Sequence, residues 1–124
     1  MKDEIIKIPH TIHSRNILDK KHWAWKSSLK KEYQLLIRNQ MKLNHISKAN
    51  GHQKYYLSIT NYRKRLLDYD NLVGGCKGLI DALWYEGFVF DDAVKYIGTP
   101  KIKQMKIKKN EEPYISVRRR LIEL

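Results

Sequence analysis

Tyr55 to Asp92 reads YYLSITNYRKRLLDYDNLVGGCKGLIDALWYEGFVFDD, and the change of period inside it decides the fold. Tyr55, Leu57 and Ile59 alternate with Tyr56, Ser58 and Thr60, the two-residue period of a half-buried strand. After Arg63-Lys64-Arg65 and Asp68 the period lengthens. Leu72, Cys76, Leu79, Ile80, Leu83 and Trp84 then fall on one helical stripe. Gly74-Gly75 would cost up to about 1 kcal/mol each inside a helix, so they read as a bend leading into it. Gly87 suits the position just past its end. Phe88-Val89-Phe90 then leads to Asp91-Asp92, giving a strand–helix–strand return.

Near the N-terminus, Ile5–Ile8 is a short β-prone run stopped by Pro9. From Asp19, Trp25, Leu29, Tyr33, Leu36, Ile37 and Met41 recur at helical steps, predicting an amphipathic helix of about five turns. Its other face carries Lys26, Lys30, Lys31, Arg38 and Lys42, which serve either as a solvated face or as DNA contacts. Beyond Asp92, Ile102, Met105 and Ile107 precede Asn110-Glu111-Glu112-Pro113 and Tyr114–Val117, a pattern that predicts a late β-hairpin. The expectation is one α+β domain over residues 1–124, a mixed sheet packed on two main helices.

Charge is distributed unevenly along this frame. Residues 68–92 hold six of the thirteen carboxylates, Asp68, Asp70, Asp81, Glu86, Asp91 and Asp92, against one base, Lys77. That window carries −5 and the remainder +17, within a net charge of +12. A basic surface attracts a polyanion. Clustered carboxylates repel one unless hard cations intervene, so the pairing points to a nucleic-acid enzyme working through divalent metal. No stretch approaches the roughly 18 apolar residues of a membrane-spanning helix. The N-terminus lacks the basic start of a signal peptide, and the single Cys76 fits a reducing cytoplasm. His10, His13, His22, His45 and His52 have no thiolate partners and read as surface histidines, so zinc is not expected.

If the approach to the second helix is extended, Asp68 and Asp70 point to one face and offer oxygen ligands to Mg²⁺. Asp70 would serve equally as a helix N-cap. Asp81, four residues after Lys77, reads first as its salt-bridge partner, and Asp91-Asp92 as either ligands or a turn. Tyr62 and Tyr69 belong to the core, or stack on bases beside the acids.

The longer string is more specific than DxD alone. Asp68, Asp70, Asn71, Leu72, Lys77, Asp81, Ala82, Leu83, Gly87, Asp91 and Asp92 keep their spacing across about twenty-five residues. This string resembles the RusA family of Holliday-junction resolvases, with three extra residues around Val73-Gly74-Gly75. The resemblance implies a Mg²⁺-dependent endonuclease, with Mn²⁺ able to substitute, acting as a homodimer on four-way DNA junctions. By position, Asp68, Asp70 and Asp92 would be the metal ligands and Lys77 the partner of the phosphate. Asp91 and Asp81 would take supporting roles, while Arg63, Lys64, Arg65 and Tyr69 are candidate DNA contacts. Rival readings are a nuclease cutting flaps or forks, and a non-enzymatic DNA-binding protein whose acids are caps and ion pairs.

Overall fold

The computed structural model describes residues 3–91 and 97–122. In chain order the elements are β1 (Asp3–Ile8), α1 (Arg15–Asp19), α2 (Trp23–Leu43), β2 (Tyr55–Arg63), α3 (Tyr69–Gly75), α4 (Lys77–Tyr85), β3 (Lys101–Lys106) and β4 (Tyr114–Leu121). The four strands form one mixed sheet in the order β1-β4-β2-β3. β4 runs antiparallel to both neighbours, and β2 and β3 are parallel. The result is the expected α+β architecture, a mixed sheet with α2 and the α3–α4 pair as its main helices. Among the described residues no helix is long and apolar enough to cross a membrane.

Strand alternation sends Ile6, Ile8, Leu57, Ile59, Ile115 and Val117 to the inner face, where they are fully buried or nearly so. Tyr33, Ile37 and Met41 of α2 and Leu79, Ala82 and Leu83 of α4 close the core over them. α2 packs on both α4 and β1. Each of these main helices ends in the same device. At α4, Phe88 N donates to Leu83 O at 2.9 Å and Gly87 N to Trp84 O at 3.1 Å, with Gly87 at φ +87°. This is a Schellman motif, and a residue without a side chain fits its left-handed position. At α2, Ile46 N reaches Met41 O and His45 N reaches Lys42 O, with His45 at φ +54°. The α2 N-terminus is capped by His22, whose Nδ1 accepts from Ala24 N at 3.2 Å.

Several expectations are corrected. The late hairpin does not form, because β2 lies between β3 and β4 and takes its ladder bonds from both. A turn signal at residues 110–113 reverses the chain but does not choose its neighbour; the apolar inner faces of β2 and β4 do that. Phe88–Phe90 is not a strand: Phe88 and Val89 are drawn into the core individually, and β3 makes the parallel return instead. The apolar stripe after Asp68 is two helices with a break at Cys76, not one. His10 and His13 are half-buried rather than on the surface, in ring contact with Tyr33 and Trp25.

Gly74-Gly75 lie in the last turn of α3, not in a bend before the helix. Close approach explains the pair better than flexibility. A Cβ on Gly75 would sit 2.1 Å from His13 O, and one on Gly74 would sit 2.6 Å from Arg15 Cδ. Only a residue without a side chain at position 75 lets α3 lie this tightly on the backbone leading into α1, while Gly74 makes room for the Arg15 side chain of α1. Gly78, in contrast, faces open space. Gly75→Ala is therefore expected to destabilise the fold by about 1–3 kcal/mol. Gly78→Ala should stabilise it by about 0.5–1 kcal/mol through lower backbone entropy in the unfolded chain. Urea unfolding of the two variants checks this, and equal shifts would contradict it.

Candidate functional site

The acidic approach is built by residues on three elements. Arg63, the last residue of β2, turns its guanidinium inward, donating to Ile12 O at 2.6 Å, to Asn61 Oδ1 at 2.9 Å and to Arg65 O. Gln104 of β3 clamps the next stretch. Its Oε1 accepts from Leu67 N at 2.9 Å and its Nε2 donates to Leu67 O at 2.7 Å. Leu67 is the residue before Asp68, so the two bonds fix where the acidic stretch begins. Neither Gln104 nor the inward role of Arg63 was legible in the sequence. Both depend on which strand lies beside β2. Asn61 itself is fully buried, and its Nδ2 has no partner among the described residues.

Asp68 occupies the N-cap position of α3 at φ −60°, ψ 148°, with no side-chain capping bond, and Asp70 lies in the first helical turn. The extended approach expected from the sequence is therefore replaced by a helix start, and strand alternation does not align the two carboxylates. The N-cap is Asp68 and not Asp70. Both acids are exposed, and among the described residues no cation or hydrogen-bond donor engages either. Asn71, the next residue of the motif, is used structurally: its Oδ1 accepts from Asn16 N at 3.1 Å, joining α3 to α1.

Lys77 opens α4 just past the break at Cys76 and is 79% exposed. Its Nζ lies 3.6 Å from Asp81 Oδ1, while Lys30 Nζ of α2 lies 3.5 Å from Asp81 Oδ2. Asp81 thus accepts two cations at once and acts as an ion-pair centre. Lys77 also borders a groove of about 330 Å³ shared with Tyr69, Val73, Thr99 and Pro100. Lys64, Arg65 and Tyr69 are exposed near this approach, whereas Arg63 is committed inward. Tyr62 stacks on Tyr114 across the β2–β4 pair with centroids 4.5 Å apart.

Asp91 is half-buried and partnered, and Asp92 lies outside the described residues. Among the described residues no three His, Cys, Asp or Glu side chains converge as a metal-holding group. Asp68 and Asp70 each carry the hard oxygen donors that Mg²⁺ takes, an ion that binds one or two carboxylates and keeps waters. Cys76, between the two helices, is buried, and burial pushes its thiol up to about 12, so it holds no thiolate nucleophile at neutral pH. His13 is held below its usual range by burial first and by the charges of His10 and Arg63 next.

Neither family models nor curated proteins yield a match to this chain.

An exposed i,i+4 pair is worth only about 0.3–0.5 kcal/mol. Lys77→Ala should therefore leave the urea midpoint almost unchanged, with Lys30 still neutralising Asp81. A loss of more than about 1 kcal/mol would make Lys77 a structural residue and remove the basis for assigning it chemistry.

Proposed function

We propose that this protein is a divalent-metal-dependent endodeoxyribonuclease that acts on branched DNA, with four-way junctions as its preferred substrate, in the manner of the RusA resolvases it resembles. The observation that carries this reading is the pair Asp68 and Asp70. Two exposed carboxylates with no compensating partner among the described residues stand on a rigidly anchored approach, within a chain of net charge +12. A caps-and-ion-pairs protein would spend its acids on partners, as Asp81 and Glu86 are spent here.

Asp68 and Asp70 would hold the metal, with Asp92 as the third ligand by motif position. The chemistry such an ion supplies when bound is acidification of water and neutralisation of the charge that develops on the phosphate. Lys77 then supplies a point charge to the scissile phosphate. Its contact with Asp81 is long and exposed, so it can turn away, and Lys30 keeps Asp81 paired when it does. Lys64 and Arg65 contact the phosphate backbone, which positions DNA without reading its sequence. A homodimer with two-fold symmetry would present one site to each of the two equivalent strands of a junction.

Asp70→Asn separates binding from cutting. Single-turnover cleavage of a labelled four-way junction should fall by at least about 10²–10³-fold, the usual cost of removing an electrostatic stabiliser. Junction affinity should hold level or rise, because a negative charge has left a site that faces phosphate. Cleavage near the wild-type rate, or a folded variant that no longer binds, would remove Asp70 from the site.

A further inference from the structure

The outward face of the sheet carries a pattern that cleavage does not use. Strand alternation that buries Ile6, Ile59 and Val117 turns the residues between them away from the helices. Five cations stand there, Lys7, Lys101, Lys103, Arg118 and Arg120, against one acid among the described residues, Asp3. Asp3 is already spent: Arg120 bonds it at 2.6 and 3.1 Å, Arg118 lies at 3.6 Å, and the Arg120 bond above all holds its carboxyl below the usual range.

Aromatic rings lie among these cations. Tyr56 is 61% exposed beside Arg120, its cross-strand neighbour. Tyr62 and Tyr114 form a stacked pair at an interplanar angle of 14°, with Lys7 Nζ 5.7 Å from the Tyr114 centroid. Tyr56 and Tyr62 are separated by about 20 Å along β2 at the ordinary strand rise, room for several nucleotides. A cavity of about 620 Å³ runs along this surface between Tyr56, Lys101 and Arg118 and reaches Tyr69, the residue between Asp68 and Asp70.

We infer that the open sheet face binds an unpaired nucleic-acid strand. Lys7, Lys101 and Lys103, with the Arg118–Arg120 pair around Asp3, track its phosphates, and Tyr56 offers an exposed ring for a base, with the half-buried Tyr62–Tyr114 stack farther along β2. Charge decides against a second copy of the chain, because two such faces pressed together would set a net +4 against +4. The exposed ring of Tyr56 decides against a duplex, whose bases are stacked on each other and cannot lie on tyrosine. The strand would leave the face beside Tyr69, at the acidic approach. This binding needs neither metal nor carboxylates, so it stands apart from the cleavage reading.

The test is fluorescence anisotropy in EDTA with a dT oligonucleotide of roughly 16 nucleotides carrying one 2-aminopurine, against a duplex of equal length. The wild-type protein should prefer the single strand, and 2-aminopurine emission should change as the base stacks. Tyr56→Ala should weaken single-strand binding by about tenfold, and Tyr56→Phe, which keeps the ring, should bind as wild type. Lys101→Gln/Lys103→Gln should also lose about tenfold and flatten the salt dependence. The charge-matched control Lys20→Gln/Lys48→Gln, exposed positions away from this face, should lose less than about threefold. All five substituted side chains are exposed, and thermal melts confirm that the variants fold. Equal losses in the control, wild-type affinity in the sheet-face variants, or equal affinity for duplex would each overturn the inference.

Discussion

The guanidinium of Arg119 is 2% exposed, and three separate parts of the chain close around it. It bonds Glu4 Oε1 of β1 at 3.0 Å, Phe88 O after α4 at 2.8 Å and Ser47 O after α2 at 2.7 Å, and lies over the rings of Tyr55 and Phe88. A buried cation is tolerable only when its donors are met, and breaking such a set costs about 3–5 kcal/mol. Here the donors are met by the first strand and by the exits of both main helices. The position of α4 on the sheet, and of the chain running on toward Asp91, therefore depends on this one side chain of β4.

A second anchor fixes the other end of α3–α4. Arg63 reaches Ile12 O, and Gln104 holds Leu67 by both its backbone groups. The parallel pairing of β2 with β3 puts Gln104 level with Asn61, so the sheet topology itself delivers the clamp. Between the two anchors lie Asp68, Asp70 and Lys77, all exposed on rigid elements. Close contact of Gly75 with His13 and of Gly74 with Arg15 of α1 completes the seating. Exposed carboxylates on rigid support, with no partner among the described residues, are what the proposed metal site would need.

Local periodicity carried most of the fold. The alternation over Tyr55–Thr60 and the stripe from Trp25 to Met41 each mark an observed element, because both patterns report burial on one face. Strand order was not legible, since the turn at Asn110–Pro113 looks the same whether or not its flanking strands pair. The break at Cys76 was also hidden, because the apolar stripe runs through it. In the site, the acidic concentration and the Lys77–Asp81 spacing could be read directly, while Gln104, Arg63 and Lys30 act only through tertiary contact. The buried Arg119 gave no signal either: within Arg118-Arg119-Arg120 the three are indistinguishable until strand alternation turns the middle one inward.

Asp68 and Asp70 are proposed to make this basic protein a metal-dependent nuclease for branched DNA. The most direct measurement incubates the purified protein with a four-way junction labelled on each strand in turn, beside a fork, a flap and linear duplex, in Mg²⁺ and in EDTA. Paired nicks on opposite strands of the junction are expected in Mg²⁺, with little cutting of duplex and none of either in EDTA. Binding without cleavage in Mg²⁺, or cutting at full rate in EDTA, would contradict the proposal.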